Sequence, residues 1–191
     1  MAFKKPKDYD DVKVGEPKIL PAGGYICEIL KAEETESKTG KPMIKVYFDI
    51  TAGAFNGYLK DMYNAWKENS DDPQNVKWPF TGTKWILLYN NEGKTNRDFK
   101  SFCTALEDSG TEVWKNGAFD VNGLKGALLG IIFRREEHEY NNARSWRTVP
   151  FGFRSVKTIE DGTFKVPEDK ALPPQEDFGD SFSQLEEDLP F

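Results

Sequence analysis

Arginine and aromatic side chains are interleaved between residues 134 and 157, and together they suit contact with a polyanion that carries unpaired bases. Guanidinium groups bind phosphates, and flat exposed rings stack on bases that have no pairing partner. We expect Arg134, Arg135, Arg144, Arg147 and Arg154 to bind phosphates, and Tyr140 and Trp146 to stack on bases. The competing interpretation makes the aromatic residues core and the arginines a solvated face. We favour that interpretation for Phe151 and Phe153, which we expect to be buried.

A second set of candidate residues lies on a predicted strand, Met43–Ile50, in which apolar and polar residues alternate. This period of two indicates a strand with one buried face, and it places Lys45 and Tyr47 on the other face. A third strand is predicted over Tyr58–Trp66. It would continue the same groove, and we expect it to contribute Lys60, Tyr63 and Trp66. Ordinary surface exposure of these five residues is the alternative.

The remaining pattern predicts a mainly antiparallel, all-β domain. Tyr25–Ser37 and Met43–Ile50 form one hairpin, and a second, with its turn at Asn141–Ala143, joins a strand over Leu124–Tyr140 to one over Arg144–Val156. A single helix is predicted over Thr95–Gly110, because Phe99, Phe102, Cys103 and Leu106 recur at helical spacing. Such an order suits an oligonucleotide/oligosaccharide-binding (OB) barrel with one inserted helix. We expect an N-terminal arm over residues 1–20, the barrel over 21–166 and a disordered acidic tail over 167–191.

Little in the sequence indicates catalysis or a cofactor. His138 is the single histidine, and on a strand it points away from Glu137 and Glu139, which is poor geometry for a metal site. Neither a P-loop nor a nucleophile elbow is present, so we expect a protein that is not an enzyme and binds no metal or cofactor. Cys27 and Cys103 are expected to be reduced, buried thiols in a cytoplasmic protein. No apolar run reaches the ~20 residues of a membrane span.

Negative charge is concentrated at the C-terminal end. Residues 168–191 hold eight acids and one lysine, a net charge of −7, whereas the whole chain carries −6. The first 167 residues are therefore close to neutral, with room for a basic groove. The chain ends EEDLPF, and an apolar ring beside a free carboxylate suits a partner pocket with apolar walls and a basic rim. We expect partner binding through Glu186, Glu187, Asp188, Leu189, Pro190 and Phe191.

EEDLPF resembles the acidic C-terminal tip of bacterial single-stranded DNA-binding proteins, with Leu189 and two glutamates as departures. The segments SKTGKPMIKVYFDI and IIFRREEHEYNNARSWRTVPFGFRSV, followed by FKVPE, resemble bacteriophage single-stranded DNA-binding proteins with an OB fold. The similar segments cover about half of the chain. The resemblance implies coating of single-stranded DNA in phage replication, recombination or repair, in the cytoplasm of a bacterial host. It also implies recruitment of replication and recombination proteins by the tip. The other segments depart from the corresponding segments of the cellular proteins. The tetramer that the cellular proteins form is therefore not assumed for this chain, and homo-oligomerisation stays open.

We therefore predict a protein that coats single-stranded DNA through a basic and aromatic groove, without sequence preference. Two alternative functions belong to other classes of protein. One is an adaptor of the replication machinery that uses its tip but binds no DNA, and the other is a nuclease that uses scattered carboxylates. A further hypothesis is that the acidic tail lies in the basic groove until DNA displaces it.

Overall fold

A computed structural model describes residues 19–173 of the chain. The strands are β1 (Gly23–Glu36), β2 (Pro42–Ile50), β3 (Thr83–Leu87), β4 (Trp114–Lys115), β5 (Ala118–Phe119), β6 (Leu128–Tyr140) and β7 (Ala143–Arg154). The helices are α1 (Tyr58–Glu68), α2 (Arg97–Glu107) and α3 (Val156–Glu160), with short 3₁₀ turns that include Phe80–Gly82. None of these helices is long and apolar enough to cross a membrane.

Five strands form one antiparallel sheet in the order β3-β2-β1-β6-β7, and β4 pairs with β5 in a separate small hairpin. Consecutive strands β1, β2 and β3 form a meander, and the β6–β7 hairpin joins it through β6 and β1. The predicted alternation in β2 is confirmed, since Ile44, Val46, Phe48 and Ile50 are all buried. The prediction of a mainly antiparallel sheet is therefore confirmed.

The sheet does not close through backbone pairing between the described residues of β3 and β7. A side chain spans the seam instead, because the Lys84 ammonium donates to the carbonyl oxygens of Pro150 at 3.1 Å and Phe151 at 3.4 Å. Burial in this seam lowers the pKa of Lys84 below its usual value. The structure thus has a curved sheet with an open seam, and a fully closed barrel is not found among the described residues.

Helix α2 packs against β7, β3 and β6, and its sequence explains why. Phe99, Phe102, Cys103 and Leu106 are buried, as their spacing predicts, and the Phe102 ring lies 5.0 Å from that of Phe153. Asn96 begins the helix by accepting a hydrogen bond from the backbone N–H of Asp98 at 2.8 Å. The predicted helix is confirmed, and it packs within the main hydrophobic core.

The predicted strand over Tyr58–Trp66 is wrong, because this segment is helix α1. The segment has a helical period, because Leu59, Met62 and Trp66 recur at three- and four-residue spacing, and a tertiary contact supports its start. The carboxylate of Asp49, which is buried at the end of β2, accepts hydrogen bonds from the backbone N–H groups of Leu59 at 3.0 Å and Lys60 at 3.2 Å. It thereby satisfies free donors at the first turn of the helix. The third strand of the sheet is instead β3, and residues 19–173 contain three α-helices rather than one.

The far half of the β6–β7 hairpin projects as an arm, because the pairing of β1 with β6 stops at Gly23 and Phe133. Its turn is formed by Asn141 and Asn142, both with positive φ (50° and 60°), as two-residue hairpin turns require. The free edge of β6 in this arm is occupied by Lys170, which donates its N–H to the Arg135 carbonyl at 2.9 Å. Residues 167–173 of the predicted tail therefore run beside the arm. The six residues predicted to bind partners, and most of the predicted N-terminal arm, lie outside the described residues.

Candidate nucleic-acid interface

The hairpin arm presents its arginines on two opposite faces. Residues directly paired across antiparallel strands share a face, and successive residues alternate. Ile131 and Phe133 point into the core, so Arg134 lies on the outer face together with Glu136 and Arg147. Arg135, Arg144 and Trp146 lie on the inner face, which continues the core side of the sheet. The predicted single basic surface is therefore divided between two faces.

A row of partly or largely exposed rings and cations crosses the outer face of the sheet. Lys45 on β2 is paired directly with Trp85 on β3, and its ammonium lies 5.4 Å from the centre of the Trp85 ring. The same ammonium lies 4.7 Å from the ring of Tyr47, so one charge sits close to two rings. The Tyr47 hydroxyl donates to Glu33 at 2.8 Å, which fixes the direction of its ring.

The row continues from β3 to the arm. The ring of Phe80 lies 5.5 Å from that of Trp85 at a tilt of 34°, and the Arg147 guanidinium lies 5.0 Å from the Phe80 ring. Phe80 is 52% exposed and Trp85 is 40% exposed, although large aromatic side chains usually bury most of their surface. We call the set formed by Tyr47, Lys45, Trp85, Phe80 and Arg147 the stacking face.

Arg134 and Phe151 extend this surface along the arm. The Arg134 guanidinium lies 4.4 Å from the Phe151 ring and forms an ion pair with Glu136. The hydrogen bond from Arg134 lowers the pKa of the Glu136 carboxyl below its usual value. Phe151 is 43% exposed, so the expected burial is wrong for it, whereas that of Phe153 is confirmed at 3%. The reason is a β-bulge in this part of the β6–β7 pairing, which interrupts the alternation between the two rings.

On the inner face, the arm and helix α1 enclose a groove with a cavity of about 580 Å³. Its walls include Trp66 and Met62 from α1, Trp146 from β7, and Ile19 from the start of the described chain. The carbonyl oxygen of Leu20 accepts a hydrogen bond from the Thr148 hydroxyl at 2.6 Å, which holds this segment against β7. Trp66 and Trp146, predicted in one groove with Lys45, therefore lie together but on the opposite side of β7. We call this cavity the inner groove.

Two predicted phosphate-binding arginines already have partners within the chain. Arg135 lies 3.3 Å from the Asp169 carboxylate. Arg144 donates to the Pro173 carbonyl at 2.8 Å and lies 3.4 Å from the Glu139 carboxylate. Because residues 169–173 and the arm supply these partners, the positive charge of the inner face is largely balanced.

Other predicted site residues lie away from the stacking face. Tyr63 on α1 packs its ring 5.3 Å from that of Trp78, and Lys60 is exposed on the same helix. Tyr140 is 74% exposed at the tip of the arm. Arg154 is separated from Arg147 by seven residues of strand, on the order of 20 Å. The structure thus groups Lys45, Tyr47 and Arg147 and separates the others from them.

Sequence reasoning missed two residues of the stacking face. Trp85 points outward because it is paired with Lys45, whereas its neighbour Lys84 is paired with the buried Val46; a hydrophobic pattern would have assigned the lysine to the outer face instead. Phe80 belongs to a 3₁₀ turn, where no periodicity indicates a face. Its position depends on contacts with Trp85 and Arg147 that only the folded chain creates.

The described residues also bear on catalysis. Within residues 19–173 no group of three or more His, Cys, Asp or Glu side chains could hold a metal ion. His138 lies 3.3 Å from the Ser145 hydroxyl on the outer face of the arm. Cys27 and Cys103 are free and buried, as predicted, and burial raises the pKa of both thiols, that of Cys103 to about 11.

No protein-family model matches this chain, and no curated protein is similar enough to indicate a relative. Function is therefore inferred from the geometry of the described residues and from the resemblance of the sequence segments.

Proposed function

We propose that this protein binds single-stranded DNA without sequence preference, through an OB-type barrel that is open at one seam. The strand order supports the barrel: a three-stranded meander with α1 between β2 and β3, then α2 and the small β4–β5 hairpin, then the β6–β7 hairpin, whose first strand returns to β1. OB folds are five-stranded, partly open Greek-key barrels, and their second and third strands carry the binding surface. Here Lys84 brings the last strand within hydrogen-bonding distance of the third.

The stacking face is the observation that carries this proposal. Aromatic rings exposed in a row suit unpaired bases, because every base has a π-face and can stack without regard to sequence. Lys45 and Arg147 lie beside these rings, where the phosphates of a bound strand need cations. Bases in a duplex are already stacked and paired, so a surface of this kind favours single strands.

Recruitment of other proteins is the second part of the proposal. The final residues, 186–191, would bind replication or recombination proteins of a phage-infected cell through an apolar pocket with a basic rim. This part rests on the resemblance and on the composition of the tip. The chain would act in the cytoplasm, where DNA is copied and recombined.

The test is a fluorescence-anisotropy titration of a labelled dT oligonucleotide at two salt concentrations, with single-stranded and duplex competitors. We expect salt-sensitive binding that excess duplex does not compete away. Trp85→Leu should weaken binding, whereas Trp114→Leu should not, because Trp114 is similarly exposed (42%) but lies on the β4–β5 hairpin.

The same titration separates the alternatives. Absence of binding at about 50 mM salt, where electrostatic contacts are strong, would favour an adaptor that acts only through its C-terminal tip. Metal-dependent loss of the labelled DNA, removed by substitution of one Asp or Glu, would favour a nuclease. Equal weakening by Trp85→Leu and Trp114→Leu would contradict the stacking face as the binding surface.

A further inference from the structure

We propose that the inner groove is a second base-binding site, and that a bound DNA strand crosses the edge of β7 at residues 146–147 to reach it. This inference rests on the proposed function and extends it from one face of the sheet to two. The occupant is the continuation of the same single strand, with one or more unpaired bases inserted between Trp66 and Trp146.

The stacking face and the inner groove meet at Arg147. Arg147 contacts the Phe80 ring on the stacking face and also borders the inner groove. Its neighbour Trp146 points to the other face, as successive residues of a strand do. Within residues 19–173 β7 is an edge strand of the sheet, and the turn beside it at this point, Phe80–Gly82, places Phe80 on the stacking face and Thr81 at the inner groove. A strand whose phosphate binds Arg147 can therefore place its next bases in the groove.

The inner groove has apolar walls and exposed indole rings. Its walls are mainly apolar, and its two tryptophans remain 47% and 42% exposed, although burial of such rings is strongly favourable. A volume of about 580 Å³ lies within the range of small-ligand sites, which are concave and largely apolar. Exposed indole rings that line one cavity are suited to flat aromatic ligands such as nucleobases.

A cation for the accompanying phosphate is already present. The Arg135 guanidinium lies 5.0 Å from the centre of the Trp146 ring, and its partner Asp169 is 43% exposed. Exposed ion pairs of this kind contribute little to stability, so a phosphate can take the place of Asp169. Arg135 would then bind DNA only when the strand is long enough to reach the inner face.

The experiment compares the affinities of full-length protein for a short and a long dT oligonucleotide, about 4 and about 16 nucleotides, the range that one such domain covers. The test variants are Trp66→Leu and Ala65→Glu, which remove a stacking ring and add a negative charge to the groove wall. Asn64→Glu is the matched control, because it adds the same charge to the same helix at an exposed residue that does not line the groove. Thermal unfolding followed by circular dichroism checks that each variant folds.

We expect Trp66→Leu and Ala65→Glu to weaken binding of the long oligonucleotide roughly five- to a hundredfold, the loss expected for one stacked base. Binding of the short oligonucleotide should be unchanged, and Asn64→Glu should match the wild type at both lengths. The inference is overturned if both groove variants bind the long oligonucleotide as the wild type does, or if they weaken both lengths equally. If the wild type binds neither oligonucleotide, the proposed function fails as well, so the two failures are distinguishable.

Discussion

Arg147→Gln tests the assignment of cations to DNA phosphates most directly. Each phosphate neutralised on a single strand changes the slope of log K against log salt by about 0.7, because bound counterions are released. Arg147 lies beside the exposed Phe80 ring at the junction between β3 and the arm. If it binds one phosphate, the substitution should make the salt dependence shallower by about 0.7. Glutamine preserves most of the side-chain length, so the loss of charge is the main change.

Two further variants make the prediction specific. Arg134→Gln should change the slope less, because Arg134 is already paired with Glu136 and a phosphate would have to displace that carboxylate. Arg154→Gln should leave the slope unchanged, since Arg154 is exposed on the same strand but far from the stacking face. The assay is fluorescence anisotropy with a dT oligonucleotide over about 50–200 mM salt. An unchanged slope in Arg147→Gln, or an equal decrease in Arg154→Gln, would refute the assignment.

Three other predictions concern the fold. Asp49→Ala should lower the free energy of unfolding by about 1–3 kcal/mol, measured by urea denaturation, because it removes an acceptor from donors at the start of α1, including the Lys60 N–H. Because burial lowers the pKa of Lys84 from its usual 10.5, the folded state releases this proton at lower pH than the unfolded chain does. Wild-type stability should therefore rise relative to Lys84→Met as the pH increases towards 10.5, and a constant difference would contradict this. Cys27 and Cys103 should react with a thiol reagent at pH 8 only after denaturation, since both are buried and their thiol pKa values are raised.

Periodicity predicted the elements that depend on local pattern. β2 and α2 were predicted because a period of two or of 3.6 in apolar residues directly gives the buried face. The arm was predicted from the turn residues at Asn141–Ala143 between two strand-like segments, and Asn141 and Asn142 tolerate positive φ. Helix α1 was missed although Leu59, Met62 and Trp66 recur at helical spacing, and its first turn is also stabilised by Asp49, about ten residues earlier in the chain. That acceptor, unlike the spacing, cannot be read from a local pattern.

The residues of the candidate interface were likewise predicted only in part. The sequence indicated Lys45, Tyr47 and Arg147 as candidates, and the structure brings these three together with Trp85 and Phe80. Whether an arginine of the arm lies on the outer or the inner face depends on its position relative to the β-bulge and on its register with the opposite strand.

By itself, the sequence determined the strand-rich class, the helix predicted over Thr95–Gly110, and the types of residue available for contact with a polyanion. These follow from composition and from periods that local geometry sets. The tertiary structure alone decided that β3 and β7 face each other across a seam spanned by Lys84, and that Trp66 and Trp146 line the same cavity. Both depend on contacts between segments 65–80 residues apart. Such contacts form only when the whole core packs, because loop closure and burial must be satisfied together.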